Sequence, residues 1–226
     1  LYAGKHQVRF FEVGRRYLAG SAKGLPKEER VLALVLAGRG GLNWLGPKQP
    51  ASFYDLKGAV EGILLRLGVR AFDSESKEEV IFQSAQGISL AVKGEQLGSY
   101  GTLSDHVRKL YDLEDPVHYG EISLDVILKH QMRPRSVKDI PKFPASPRDL
   151  TLIVPEEVPS GSIVRTITDL GGSLIQSVDL FDCFRGAKIE RGKKSLSFRI
   201  YYQAPDRTLQ NEEVNRLHFS IIDQLA

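Results

Sequence analysis

The stretch Arg148-Asp-Leu-Thr-Leu-Ile-Val154 alternates Leu150, Leu152 and Val154 with Asp149 and Thr151, the two-residue period of a half-buried strand. A helix follows, with Ser160 or Ser162 as its cap. Ile163, Ile167 and Leu170 lie along one face, and Gly171-Gly172 form its stop. Leu174 to Phe184 and Ser195 to Gln203 read as two more strands, joined into a hairpin by a loop containing Gly186 and Gly192. Val214, Leu217, Ile221 and Leu225 then recur at the spacing of one buried helical stripe. The order β-α-β-β-α lacks one strand of the split βαβ, ferredoxin-like unit. That strand either lies beyond Ala226 or the sheet stops at three.

Working outward, four of the eleven prolines (Pro134, Pro141, Pro144 and Pro147) fall just before this unit. Each restricts its predecessor and removes a backbone donor. We read 132–147 as a Pro-rich linker between a domain at 1–131 and the ferredoxin-like domain at 148–226. In the first domain Gln7 to Val13 and Arg30 to Ala37 read as strands, and Phe53 to Leu67 as a helix with Ser52 as cap and Gly68 as stop. Shorter strands are expected at Ile88–Val92, Leu97–Leu103 and Val117–Leu124, with a helix near His106–Tyr111. The fold class is α+β around an antiparallel sheet.

The 226 residues are 42% hydrophobic and 26% charged, the profile of a soluble globular chain. A lone Cys183 excludes an internal disulfide framework or a cysteine-based zinc site and suits a reducing cytoplasm. The longest apolar run, Val31 to Ala37, is too short for a bilayer, so no membrane partner is expected. No secretory signal opens the chain, which starts at Leu1 without Met, as a piece of a longer polypeptide would.

Convergent catalytic spacings are missing. Gly38-Arg39-Gly40-Gly41 has neither the Gly-Lys-Ser/Thr ending of a phosphate loop nor dinucleotide-fingerprint spacing, and reads as a turn. His6, His106, His118, His130 and His218 are not at metal-ligand spacing, so no metal is expected and these are structural or surface residues. Glu28-Glu29 and Glu78-Glu79 are adjacent pairs, which point apart and read as solvated surface.

The charge signal is local. The formal net charge is only +3, yet Arg185, Lys188, Arg191, Lys193, Lys194 and Arg199 stand against Glu190 alone within one hairpin. Cations in such a cluster release counterions from phosphates, although a solubilising loop tip reads the same way. Strand parity adds to this. Even positions (Leu150, Leu152, Leu174, Val178, Leu180, Leu196, Phe198, Ile200, Tyr202) form one apolar face for the helices, leaving Phe181, Ser197, Arg199 and Tyr201 on the other. Aromatics beside Arg on an open sheet can stack unpaired bases, unless the first domain or a partner covers that face. Phe184, at the strand end beside Arg185, is the most accessible candidate for stacking, though its even parity also permits core packing.

Several motifs, in order, resemble a known family. Lys142-Phe-Pro144-Ala-Ser-Pro-Arg148-Asp149-Leu, Phe181-Asp182-Cys-Phe184-Arg-Gly186, Lys193-Lys194-Ser195-Leu, Asp206-Arg207-Thr208-Leu209 and Glu213-Val214 are similar to the ferredoxin-fold anticodon-binding domain. That domain closes the β subunit of bacterial phenylalanyl-tRNA synthetases. Phe11-Glu12-Val13-Gly14-Arg15, Leu36-Ala37-Gly38, Trp44 and Phe53-Tyr54-Asp55-Leu56-Lys57-Gly58 with Glu61 resemble the class II synthetase core-like module preceding it. Gln83-Ser84-Ala85 and Gly101-Thr102-Leu103-Ser104-Asp105 depart from the family pattern, and Gln210 stands where a capping Ser or Thr is usual, so that Asn211 takes that role.

The resemblance implies a non-catalytic part of an α2β2 ligase that joins phenylalanine to tRNA(Phe). The α subunit is the expected partner and carries the class II site that uses ATP and magnesium; no cofactor is expected on this chain. Charge and parity together lead us to expect phosphate contacts by Arg185, Lys193, Lys194 and Arg199 and stacking by Phe184 and Tyr201, with Arg148 and Arg207 as weaker candidates that also suit a structural role. Two rival readings are a purely structural interaction module and an acylphosphatase-like hydrolase on the same scaffold.

Overall fold

In a computed structural model of the chain, residues 7–19, 25–38, 50–131, 141–186 and 188–225 are described. The chain divides into two compact units, Leu1–Ser136 and Val137–Ala226. Arg39, Gly40, Gly41, Trp44, His6 and linker residues 132–140 lie outside the described residues.

The first unit contains β1 (Gln7–Leu18), β2 (Lys27–Gly38), α1 (Phe53–Arg66), β3 (Asp73–Ser76), β4 (Phe82–Val92), β5 (Glu95–Leu103), α2 (Asp105–Leu110), β6 (Val117–Ser123) and α3 (Leu124–His130). Its antiparallel sheet runs β1-β2-β6-β5-β4-β3. Leu32, Leu34 and Leu36 of β2 alternate onto the face covered by α1, whose Leu56, Val60 and Leu64 are fully buried at a four-residue spacing. The expected Ser52 cap is present as a capping box. Ser52 Oγ accepts from the Asp55 N–H, and the Asp55 carboxylate accepts from the Ser52 N–H at 2.8 Å. Gly68 follows the helix at φ +88°.

The sheet requires glycine where β5 meets β6. A Cβ on Gly98 would lie 2.1 Å from the Glu121 carbonyl oxygen and 2.8 Å from Ile122 Cα. Strand β1 extends five residues past the expected Val13, and Phe10, Phe11, Val13 and Tyr17 on it are exposed. Two elements had no counterpart in the sequence reading: β3, whose four residues are all exposed, and α3. Leu124 was expected to end a strand. It begins a helix instead, because Ser123 Oγ accepts from the Val126 N–H and turns the chain.

The second unit contains β7 (Ser146–Pro155), α4 (Ser160–Gly171), a 3-10 turn (Gly172–Leu174), β8 (Ile175–Phe184), β9 (Lys193–Tyr202) and α5 (Asn211–Leu225). Its antiparallel sheet runs β7-β9-β8, and among the described residues no fourth strand pairs with β7. Central β9 buries Leu196, Phe198, Ile200 and Tyr202 to 1% exposure or less, against Leu150, Ile163, Ile167, Val214 and Ile221. Each such side chain contributes about 1.5–3 kcal/mol by leaving water.

Four local readings change here. Strand β7 starts at Ser146, inside the segment expected as linker. Helix α4 has Pro159 at its N-cap without a side-chain cap, because the Ser162 hydroxyl donates to the Pro159 carbonyl instead. Asn211 is the first residue of α5, and its carboxamide oxygen accepts from Arg148. Leu180, expected on the covered face, is 41% exposed on the outer strand of the sheet.

Candidate nucleic-acid interface

Residues directly opposite one another in an antiparallel ladder share a face. Ser195, Ser197, Arg199 and Tyr201 of β9 therefore share the face away from the helices with Ile153, Thr151, Asp149 and Pro147 of β7. On the other side Ser177 and Asp179 of β8 are opposite Tyr201 and Arg199. The ladder then slips between Leu180 and Asp182, so Asp182 is opposite Ser197 and Phe184 is opposite Ser195. This slip moves Phe184 off the covered face, where unbroken parity put it, and onto the open one. Phe184 is 45% exposed and Phe181 is 54% exposed, with the Arg199 guanidinium 5.3 Å from the Phe181 ring centroid.

This face is not cationic. Arg199 forms a two-pronged pair with Asp149, Nε to Oδ1 and Nη2 to Oδ2, both at 2.7 Å. The hydrogen-bonded guanidinium holds the Asp149 carboxyl below its usual range. Asp179 and Asp182 stand nearby, exposed and without an ion pair among the described residues. On this face Asp149, Asp179 and Asp182 thus outnumber the one guanidinium, which is already paired. Thr151 and Ser197 share a hydrogen bond at 2.9 Å, and Tyr201 is half-buried.

The expected phosphate contacts divide three ways. Arg185 pairs with Glu156 at 2.7 Å and donates to Cys183 Sγ, while Lys193 pairs with Glu190 at 2.8 Å; both cations remain exposed. Lys194 is on the opposite face of the sheet from these rings. It is opposite Val154, 8% exposed, and its ammonium donates to the Glu156 carbonyl at 2.6 Å. Arg148 is half-buried and bonded to Asn215, Asn211 and the Pro147 carbonyl, fastening β7 to α5. Arg207 is paired with Glu213 and Asp206. A hydrolase on this scaffold would need a loop of backbone donors with a convergent Arg and Asn near the first strand, and Pro144 and Pro147 supply no N–H there.

Lys188 and Arg191, counted in the local charge but not selected from sequence as contacts, are exposed and without an ion pair among the described residues. Asp149, Asp179 and Asp182 were also missed. Asp149 was readable from odd parity. Asp179 was readable in the same way, whereas Asp182 was not, since its even position reads onto the covered face until the slip moves it.

In the first unit, a groove of about 740 Å³ is lined by Val8, Phe10, Val35, Ala37, Val117 and the segment Asp112-Leu113-Glu114-Asp115. An apolar floor with three carboxylates at its rim would repel a triphosphate, so its residues do not fit ATP. No metal-binding group of three His, Cys, Asp or Glu occurs among the described residues. His118 is held by Thr102 and the Ala51 carbonyl, His130 by Glu95 and His218 by Tyr202, whereas His106 is exposed. Glu29 departs from the solvated reading: it is 8% exposed and paired with Arg16 at 2.8 Å.

Comparison with known proteins assigns both units. Residues 2–124 match the phenylalanyl tRNA synthetase beta chain CLM domain, and residues 141–226 match the ferredoxin-fold anticodon binding domain. The chain is 30% identical to the phenylalanine–tRNA ligase β subunit of Symbiobacterium thermophilum over 99% of its length, covering 26% of that protein. With the Geobacter sulfurreducens β subunit it shares 34% identity over 97% of its length, covering 28% of that protein. It therefore spans about a quarter of the curated relatives it matches. The solved pyrrolysyl-tRNA synthetase from Desulfitobacterium hafniense aligns with a TM-score of 0.40 at 20% identity, covering 54% of this chain and 40% of that one. Likeness of that degree adds nothing to the fold assignment.

Proposed function

We propose, for a chain that belongs to the phenylalanyl-tRNA synthetase β-chain family, that its C-terminal unit holds unpaired bases of tRNA(Phe) on the open sheet face. Its N-terminal unit packs against the synthetase α subunit. The observation that carries this reading is the slip in β8, which brings Phe184 onto the face that also holds Phe181, Arg199, Asp179 and Asp182. Exposed rings stack bases of any sequence. Ionised carboxylates only accept hydrogen bonds, so beside a stacked base they can take its amino or imino N–H groups rather than a phosphate.

Phosphates belong at the hairpin end. Lys188 and Arg191 are available there, and Arg185 and Lys193 can exchange their exposed carboxylate partners for RNA. Arg199 and Tyr201 flank the stacked bases. The exposed apolar side chains of β1 (Phe10, Phe11, Val13 and Tyr17) support a packing role for the first unit. ATP and magnesium chemistry is assigned to the α subunit of a cytoplasmic α2β2 enzyme, and no step of it is routed through the groove of this chain.

The test titrates the chain with tRNA(Phe) whose anticodon loop is either free or annealed to a complementary oligonucleotide. Pairing the loop should weaken binding roughly ten-fold or more, since its bases can no longer stack on protein rings. Equal affinity for both forms would reject the reading.

A further inference from the structure

Two glycines bracket the hairpin loop for different reasons. Gly192 adopts φ +81° with open space around it, so the backbone turn itself calls for glycine there. Gly186 is not in the left-handed region, so that reason for glycine does not apply there. What a side chain would meet is the Phe184 ring: a Cβ at 186 would lie 2.7 Å from Cζ, 3.1 Å from Cε1 and 3.5 Å from Cε2.

Hydrogen bonds tie the backbone at Gly186 and at Gly192. The Gly186 carbonyl accepts from the Ile189 N–H at 2.9 Å. The intervening Arg185 is held by Glu156 and by Cys183 Sγ, and the Glu156 N–H in turn donates to the Gly192 carbonyl at 2.8 Å. Of the two sides of the contact, the ring is the one that would move.

We propose that Gly186 is a positioning residue: its bare Cα seats the end of the Phe184 ring, and that seat sets the ring's presentation to an incoming base. The proposal rests on the reading of this face as an RNA site. It adds that a residue touching no base controls stacking through Phe184 alone.

The experiment measures the affinity of the full chain for a fluorescently labelled RNA stem–loop with an unpaired loop. The variants are Phe184→Ala, Gly186→Ala, Gly186→Ser and the Phe184→Ala/Gly186→Ala double, with thermal unfolding of each to show an intact fold. Phe184→Ala should weaken binding roughly five-fold or more, the low end for one lost base–aromatic stack. Both Gly186 variants should weaken it about three-fold or more, and the double should be no weaker than Phe184→Ala, the signature of two residues acting through one ring. Normal binding by both Gly186 variants, or a Gly186→Ala loss that persists in full without the Phe184 ring, would overturn the positioning role while leaving the RNA site standing. Normal binding by Phe184→Ala would remove stacking at that position and the positioning role together.

Discussion

Replacing Lys188 and Arg191 together by alanine should make the salt dependence of tRNA binding shallower by about 1.4 to 1.8 units in log K against log [salt]. The figure follows from the loss of two phosphate contacts at about 0.7 each for single-stranded and 0.9 each for duplex segments. These two side chains are chosen because they are the exposed hairpin cations without an ion pair among the described residues, so their charge is available to phosphates. Lys194→Met is the matched control. Its ammonium is committed to the Glu156 carbonyl on the side of the sheet away from the rings, so its loss should leave the slope unchanged while costing about 1 kcal/mol of stability. The assay is fluorescence anisotropy with labelled tRNA at several KCl concentrations, plus urea unfolding of each protein. An unchanged slope in the double variant would remove the hairpin end as a phosphate site. A shallower slope in Lys194→Met would show that this ammonium reaches RNA and that its burial has been misjudged.

Two further outcomes concern the fold. Gly98→Ala should lower stability by about 3 kcal/mol or more, because the new methyl would meet backbone atoms of β6 on a strand that cannot retreat; urea unfolding with an unchanged midpoint would contradict this. Burial lowers the pKa of His218, which sits against Tyr202 inside the second core. The folded chain therefore binds its proton less readily than the unfolded chain does at the ordinary value of 6.5. The stability associated with this residue is complete above that pH and declines as pH falls below it toward the folded-state value. A His218→Gln chain should show a flatter stability profile as pH falls below 6.5, and an identical profile would refute the assignment.

The periodicities of α1, α5 and β9 were readable because each element buries one continuous apolar face, and the structure keeps it. The helix α3 was not readable because its signal is a single serine hydroxyl at the end of a strand. The site was half legible. Rings and cations on the odd positions were found from parity, yet parity fails once a strand carries an extra residue, and nothing in Leu180-Phe181-Asp182 announces that slip. Pairing partners were equally hidden, since Asp149 and Glu156 lie 50 and 29 residues from the cations they neutralise.

The irregularities in β8 also bear on edge-to-edge pairing between copies. An outermost strand with an unbroken row of free amides and carbonyls is a template on which a second molecule can add its own strand. Interruptions near Ile175 and Leu180 spoil that repeat at two places along the rim, and the carboxylates of Asp179 and Asp182 stand beside it. Two copies meeting edge to edge would mismatch in spacing and repel in charge, so phenyl rings can be left facing water at that margin without turning it into a seam for self-association.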